Sequence, residues 1–222
     1  MIYRAVLFDF DYTLADSSVP IVDCFNTALR ALGLEEAPEE AICRTIGLAL
    51  PEALAAVAGE EARCRAEEFR GHWRRRSDEV MVAGTRMVPA APAALRSLHG
   101  LGFDLAVVST KYRARIIDVL EREGLASLFT TIVGGDDVAE PKPDPEGLLI
   151  ALERLGAPPA QALYVGDSET DGRTAQRAGV HFAAVTSGCT PQSALARYQP
   201  RAILADVGEL PHWLGNATGE RR

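Results

Sequence analysis

The strongest constraint on the fold is a set of short, uninterrupted apolar runs that are closed by polar residues or loops. Clear runs lie at residues 5–8, 105–108, 162–165 and 182–185, and weaker ones at 131–133 and 202–204. Strands of a parallel sheet that is covered on both faces have this pattern, because neither face meets water. The runs therefore predict a buried sheet with helices on both sides.

Helix-like stretches at residues 113–123, 146–155 and 172–178 separate the later runs. Asp144 and Pro145 precede the second stretch and predict a capping carboxylate followed by a proline in the first helical position. Gly179 follows the third stretch and predicts a left-handed C-terminal cap. Strands that alternate with helices of this length predict an α/β fold, a doubly wound parallel sheet with a Rossmann-like core.

Residues 17–85 have a different pattern from the rest of the chain. They contain no convincing strand, but amphipathic runs lie at 21–32, 51–57 and 60–76. We therefore predict two domains. Residues 1–16 and 86–222 form the Rossmann-like core, and residues 17–85 form an all-α domain inserted after the first strand.

Composition narrows the possible partners and the location. The 23 Lys and Arg residues against 31 Asp and Glu give a net charge of -8. This balance argues against a general nucleic-acid or anionic-membrane binder, which needs clustered cations. The four cysteines form no C-x-x-C pair, so neither a disulfide scaffold nor a zinc site is expected. Neither a signal peptide nor an apolar run of about 20 residues is found, which predicts a cytoplasmic protein.

Polar clusters follow four of the predicted strands or their loops, where an open parallel sheet binds ligands. They lie at residues 9–13, 109–111, 141–144 and 166–171. A solvated loop explains any one cluster, but four at equivalent strand ends indicate a common site.

Three aspartates at these strand ends predict a metal site. Asp9 and Asp11 lie two residues apart, and Asp167 is expected to reach them from another strand. Such carboxylates repel one another unless a cation neutralises them. Oxygen ligands without a neighbouring His or Cys suit Mg²⁺. The alternative is that Asp9 and Asp11 only cap a helix that begins near Ser17.

Two further residues predict a phosphate ligand at the same place. Lys142 offers a compact positive charge that can hold phosphate and shield an attacking carboxylate. Ser109 offers a hydroxyl and nearby backbone N–H groups at a helix start. Each has a simpler alternative: Lys142 as an exposed loop lysine, and Ser109 as the N-cap of the helix near Arg113.

Together these residues resemble the haloacid dehalogenase superfamily of hydrolases, in its phosphatase branch with a helical cap, the phosphoglycolate phosphatase-like group. The family's four motifs occur in order. D-x-D-x-T-L is residues 9–14, the second motif's serine is Ser109, the third motif's lysine is Lys142, and G-D-S-x-x-D is residues 166–171. The resemblance covers essentially the whole chain.

The resemblance implies a magnesium-dependent phosphatase with an aspartyl-phosphate intermediate. Asp9 would be the nucleophile. Asp11 would protonate the leaving alkoxide and then deprotonate the hydrolytic water. Mg²⁺ would bind the Asp9 carboxylate, the Asp11 backbone carbonyl and Asp167. Dehalogenases of this fold lack the second aspartate, so Asp11 favours phosphoryl transfer.

The resemblance also implies how the substrate is held. Ser109, Thr110 and Lys142 would bind the phosphoryl group, and Asp171 would orient Lys142 or a metal-bound water. The inserted domain would act as a cap that closes over the site, and Arg44 would contact a carboxylate or second phosphate of the substrate. The alternative for Arg44 is an exposed arginine without that role.

Substrate and class stay partly open at this point. Phosphoglycolate, a sugar phosphate, a nucleoside monophosphate and pyrophosphate are all candidates, and the oligomeric state, monomer or homodimer, is undetermined. Tyr12 stands where the family usually has glycine, so we expect a turn that a bulky residue tolerates. The rival functions are a phosphomutase resembling β-phosphoglucomutase and a non-catalytic binding protein on the same fold.

Overall fold

A computed structural model gives the structure of residues 3–219, with side chains described up to residue 216. Residues 1–2 and 220–222 of the predicted core lie outside this range. The chain divides into two compact units. The sheet unit contains the residues up to Ala15 and from Met87 onward, and the helical unit contains Asp16–Arg86.

The strands of the structure are all short. They are β1 (Ala5–Phe8), β2 (Ala15–Asp16), β3 (Arg86–Met87), β4 (Asp104–Val108), β5 (Phe129–Val133), β6 (Ala162–Gly166), β7 (His181–Val185) and β8 (Ile203–Leu204). Six of them form one parallel sheet in the order β5-β4-β1-β6-β7-β8. The strands β2 and β3 form a separate two-stranded pair.

Four helices lie one after another between β2 and β3, and from β3 onward helices alternate with strands, as the sequence predicts. The helices are α1 (Ser18–Ala31), α2 (Glu39–Cys43), α3 (Leu50–Ala58), α4 (Ala66–Gly84), α5 (Ala91–Gly100), α6 (Arg113–Arg122), α7 (Glu146–Leu155), α8 (Glu169–Ala178), α9 (Gln192–Leu195) and α10 (Leu210–Gly219). Short 3₁₀ turns lie at Glu60–Arg65, Ala126–Leu128, Pro159–Gln161, Ala196–Tyr198 and Val207–Glu209.

The core of the sheet unit explains why the strands are continuously apolar. All four residues of β1 are fully buried. Leu7 contributes to one core cluster with Leu148 and Leu152 of α7 and with Ala175 of α8. Successive strand residues point to opposite faces, so a strand with a covered layer on each side has no polar position.

The predicted fold class is confirmed as a six-stranded parallel sheet with surrounding helices. The run at 5–8 is β1 with the same bounds, and α7 has the predicted bounds as well. Gly179 ends α8 with a φ of 68°, the left-handed cap that its position predicts.

The position of one proline and the start of one helix differ from the prediction. Pro145 precedes the first residue of α7 rather than occupying that position, and Asp144 Oδ1 accepts a hydrogen bond from the backbone N–H of Glu146 at 2.9 Å. The helix expected at 172–178 begins three residues earlier, at Glu169. The reason is a capping box, in which Ser168 and Asp171 bond to each other's backbone N–H groups.

The helical unit has its own core between α1, α3 and α4. The rings of Phe25 and Phe69 meet edge to face with centroids 4.8 Å apart, and Leu29, Ile42 and Leu54 pack around them. Nowhere in residues 3–219 does a helix combine the length and the apolar character that crossing a bilayer requires.

Candidate active site

Three of the predicted site residues of the sheet unit lie at the carboxyl ends of three neighbouring strands. Asp9 follows β1, Ser109 follows β4 and Asp167 follows β6, and all three are buried. Because β1 lies between β4 and β6 in a parallel sheet, the residues that follow these strands meet at one edge. The structure thus brings together side chains that are far apart in sequence.

An acidic cluster forms at this edge. Asp9, Asp167 and Asp171 each place one carboxylate oxygen within 4.8 Å of the others. Burial, partly offset by the charge of Lys142, raises the pKa of Asp9 from 3.8 to about 6. Burial, with added repulsion from Asp171 and Asp9, raises the pKa of Asp167 well above its ordinary value. Both shifts show that the surrounding protein groups only partly compensate these charges.

Lys142 is the cation of this cluster. Its Nζ lies 2.6 Å from Asp171 Oδ1 and 2.9 Å from Asp9 Oδ1. Burial opposes the charged ammonium, but the two carboxylates outweigh this effect and hold the pKa of Lys142 well above its ordinary value. The contact with Asp9 has the distance of an ion pair without the angles of a hydrogen bond, so within the described residues Asp9 Oδ1 accepts no hydrogen bond.

Asp171 is satisfied by protein donors and differs in this respect from Asp9. Its Oδ1 receives Lys142 Nζ at 2.6 Å and lies 3.0 Å from Tyr164 Oη. Its Oδ2 receives the backbone N–H of Ser168 at 3.1 Å and the Ser168 hydroxyl at 2.5 Å. These donors occupy the lone-pair directions of the carboxylate. Asp9 and Asp167 are therefore better candidates than Asp171 to bind a cation directly.

Tyr164 connects Lys142 to the sheet and was missed in the sequence. Its hydroxyl accepts from Lys142 Nζ at 3.0 Å and lies 2.9 Å from the backbone oxygen of Val108. The side chain is fully buried in the middle of β6. In the sequence Tyr164 was counted as one member of an apolar run. The feature that could have indicated its role is that it carries the one hydroxyl group of that run.

Asp11 does not join the acidic cluster but pairs with a different lysine. Lys111 Nζ lies 3.0 Å from Asp11 Oδ1 and 3.2 Å from Oδ2, and both side chains are buried. The sequence placed Lys111 in the polar cluster after β4, but it gave no partner for it. The two aspartates of the first motif are thus each held by their own ammonium group.

The turn after Asp11 has a strained residue. Tyr12 adopts a φ of 63°, in the left-handed region where glycine is unstrained and other residues lose about 1 kcal/mol. The expectation of a turn that suits a bulky residue is therefore wrong, because the chain keeps a glycine-type turn at a tyrosine. The Ser187 hydroxyl donates to the Tyr12 backbone oxygen at 2.6 Å, which helps to fix this turn.

Close contacts with Asp167 and Asp171 explain two glycines. The Thr13 hydroxyl donates to Asp167 Oδ1 at 3.1 Å. A Cβ at Gly188 would lie only 1.9 Å from Asp167 Oδ2, and one at Gly166 would lie 2.5 Å from the carboxyl carbon of Asp171. The sequence indicated Gly166 through its motif, but Gly188 comes from the loop after β7 and was missed.

Three residues for which helix capping was the alternative, Ser109, Asp9 and Asp11, do not cap those helices. The first residue of α6 is Arg113 and Tyr112 precedes it, so Ser109 is not the N-cap of that helix. Helix α1 begins at Ser18, whose backbone N–H bonds to Asp16 Oδ1 at 2.8 Å, so Asp9 and Asp11 do not cap it.

Ser109, Thr110 and Lys142 line one small pocket at the ends of β4 and β5. Gly135 closes one side of this pocket tightly, because a Cβ there would lie 2.3 Å from the Thr110 backbone oxygen. The Ser109 Oγ accepts a long hydrogen bond of 3.4 Å from the backbone N–H of Lys111. The three residues predicted to hold phosphate therefore share a surface.

Arg44 belongs to the helical unit and follows α2. Its Nη2 lies 2.5 Å from Glu40 Oε1, and its side chain is 68% exposed. Within its own unit Arg44 is thus an exposed cation in an i, i+4 pair.

The chain is similar to known proteins along nearly its whole length. The family model of haloacid dehalogenase-like hydrolases matches residues 6–185. A phosphoglycolate phosphatase of Salmonella paratyphi A is 34% identical, with 96% of this chain and 92% of that protein covered. The probable phosphatase IndB of Dickeya dadantii is 36% identical, with 92% and 90% covered. A solved Bacteroides fragilis structure named for the haloacid dehalogenase-like hydrolases has a TM-score of 0.90 and 41% identity, with 94% and 99% covered.

Proposed function

The chain belongs to the haloacid dehalogenase-like hydrolase family and is a phosphatase of that family, and we propose that it uses Mg²⁺ and a phosphoryl-aspartate at Asp9. The observation that carries this proposal is the convergence of Asp9, Asp167 and Lys142 at one buried edge of the sheet. A buried carboxylate beside an ammonium group and a second, poorly compensated carboxylate suits attack on a phosphate ester.

The donor set fits a magnesium ion. Asp9 and Asp167 supply carboxylate oxygens, and the backbone carbonyl of Asp11 would complete the protein's share of the ligands. When bound, Mg²⁺ would neutralise these carboxylates and polarise the phosphoryl oxygens. The raised pKa values of Asp9 and Asp167 support this assignment, since they mark an excess of buried negative charge.

The reaction has two halves in which the same two aspartates exchange tasks. In the first, an Asp9 oxygen bonds to phosphorus while the ester P–O bond breaks, and the leaving oxygen takes a proton from Asp11. In the second, water gives a proton to Asp11 and its oxygen bonds to phosphorus as the bond to Asp9 breaks. Inorganic phosphate leaves, and both aspartates return to their starting state.

The remaining site residues hold the phosphoryl group. Lys142 faces Asp9 and would bind a phosphoryl oxygen as negative charge shifts toward phosphorus, while Ser109 and Thr110 would bind the other oxygens from the pocket that they line. Asp171 positions Lys142 through the 2.6 Å ion pair. All of these contacts fix a transferring group rather than react with it.

The substrate proposed is a small phosphorylated metabolite. The phosphoglycolate phosphatase relative favours a phosphoglycolate-like compound, and sugar phosphates and nucleotides are further candidates. Residues 17–85 would be the cap domain and residues 1–16 with 86–222 the catalytic core, with Arg44 contacting a carboxylate or second phosphate of the substrate. A cytoplasmic location and the absence of nucleic-acid partners remain predictions from the sequence.

A phosphatase assay with matched aspartate variants tests the proposal. Wild type is expected to release phosphate from p-nitrophenyl phosphate only with Mg²⁺, and Asp9→Asn is expected to be inactive. Asp104→Asn is the control, because Asp104 begins β4 at the far end of the sheet and forms an exposed pair with Arg4. Equal turnover by wild type and Asp9→Asn would exclude Asp9 as the nucleophile.

A further inference from the structure

Lysine is rare in this chain and is found only at the candidate active site. Of the 23 basic residues, only Lys111 and Lys142 are lysines, and the rest are arginines. Both lysines are buried, and each contacts an aspartate of the first motif. A compact ammonium on a flexible stem is therefore used where a point charge must reach a buried carboxylate.

The Lys111 ammonium grips the whole carboxylate of Asp11. Its Nζ lies 3.0 Å and 3.2 Å from the two carboxylate oxygens, and the two side chains are 3% and 11% exposed. The Phe10 ring centroid lies 5.8 Å from the same Nζ, which favours the cation further. Contact with both oxygens limits rotation of the carboxylate, while each oxygen keeps a lone-pair direction for another partner.

The backbone of Lys111 is fixed by the loop after β5. The N–H of Gly135 donates to the Lys111 backbone oxygen at 3.0 Å. A Cβ at Gly135 would lie 2.3 Å from the oxygen of Thr110, so a glycine is needed for this approach. The backbone of Lys111 is therefore held in place by the loop that follows β5, while its side chain reaches Asp11.

We propose that Lys111 is a positioning residue that holds the Asp11 carboxylate toward the leaving group. This inference rests on the proposed function, in which Asp11 protonates the leaving oxygen. The observed contact joins Lys111 Nζ to both oxygens of the Asp11 side chain, which fixes the direction in which that side chain points. Lys142 faces Asp9 instead. Under this proposal Lys142 serves the phosphoryl side of the ester bond, and Lys111 serves the leaving-group side.

Leaving-group dependence tests this role, because an alkoxide needs a proton and a nitrophenolate does not. We expect Lys111→Met to lower kcat/KM by about tenfold or more on the best alkyl phosphate of a metabolite panel. On p-nitrophenyl phosphate the loss should stay within about threefold, since no proton is required. A uniform loss on both substrates, as a merely structural or phosphate-binding role would give, overturns the proposal.

A double-mutant cycle gives a second, independent readout. Asp11→Asn should show the same preference for the aryl substrate, and adding Lys111→Met to Asp11→Asn should change kcat/KM by less than about twofold. The double variant removes both members of the buried pair rather than one, so it also controls for failure of Lys111→Met to fold. Multiplicative losses in the double variant would overturn the proposal.

The same experiment separates this inference from the proposed function. If wild type and Asp9→Asn turned over the substrates equally, the phosphatase mechanism would fail, and the role of Lys111 with it. If wild type were active and Asp9→Asn inactive while Lys111→Met showed no leaving-group preference, only the role assigned to Lys111 would be wrong.

Discussion

The strand ends of the sheet unit contain buried ion pairs, whereas the ion pairs described in the helical unit are much more exposed. In the helical unit, Arg44 and Glu40 pair with side chains that are 68% and 78% exposed. In the sheet unit, Lys142 and Asp9 pair with side chains that are 5% and 4% exposed. Exposed pairs contribute about 0–1 kcal/mol, because water and salt screen them. Buried pairs lose hydration that their attraction does not always recover.

This difference in exposure indicates different roles for the charged side chains of the two units. The helical unit contains arginines and no lysine, and its ion pairs cover an exposed helical surface. The strand ends of the sheet unit keep their aspartates and lysines buried although apolar residues would pack there at lower cost. A cluster of this kind is best explained by the chemistry that it performs.

The largest effect is expected from Lys142→Met. Removing the ammonium leaves Asp9 and Asp171 without their shared cation and removes a phosphoryl-binding group, so kcat/KM should fall by about 100- to 1,000-fold. Arg122→Met, which removes a more exposed cation of α6, is the control and should change kcat/KM by less than about twofold. Similar losses in the two variants would remove the contrast between buried and exposed charges.

The second effect concerns stability without metal. The pKa of Asp9 is raised from 3.8 to about 6, so the folded state binds this proton more tightly than the unfolded state. The metal-free protein should therefore lose stability as pH rises through this interval, by about 3 kcal/mol in all. Asp9→Asn removes the penalty. In EDTA it should be more stable than wild type above the interval and equal to it below about pH 4.

Denaturant unfolding of both proteins across this pH range measures the difference. An Asp9→Asn variant that was less stable than wild type at neutral pH would show that the buried carboxylate is well compensated by its neighbours.

A smaller effect is expected for the magnesium titration. Asp167→Ala removes a carboxylate of the acidic cluster. The Mg²⁺ concentration that gives half-maximal activity should therefore rise by about tenfold or more. Asp118→Ala, at an exposed aspartate of α6, should leave the titration unchanged. If Asp167→Ala also left it unchanged, the metal ligands would be wrongly assigned.

The smallest effect is expected for Arg44→Ala. An exposed i, i+4 pair should change the free energy of unfolding by less than about 0.5 kcal/mol. If Arg44 binds the substrate as proposed, KM should rise for substrates with a second anionic group and stay constant for p-nitrophenyl phosphate. A constant KM for both would leave Arg44 an ordinary exposed cation.

The sheet was predictable because burial on both faces leaves a direct trace in the sequence. The run at 5–8 predicted a strand buried on both faces, and the polar clusters after such runs indicated the edge of the sheet where the aspartates and lysines meet. The early start of α8 was missed because Ser168 and Asp171 were assigned to a catalytic motif only. The same two side chains also form the capping box that begins the helix.

The pairing of charges was not predictable, because partners are set by the fold rather than by spacing. Lys111 and Lys142 both follow strand ends, and nothing in the sequence assigns one to Asp11 and the other to Asp9. The role of Tyr164 was not recognised, because the residue lies in an apolar run. The sequence therefore indicated which groups to propose as reacting groups, whereas the hydrogen bonds that orient them required coordinates.

The central claim is that Asp9 attacks phosphorus, and the most direct measurement is covalent labelling of the enzyme during turnover. Wild type should be mixed with ³²P-labelled substrate and Mg²⁺, quenched with acid within the first turnovers, and digested for peptide mapping. We expect acid-stable, base-labile phosphate on the peptide that contains Asp9, and none in Asp9→Asn. Turnover with label on another residue, or with no labelled protein at any quench time, would contradict the account.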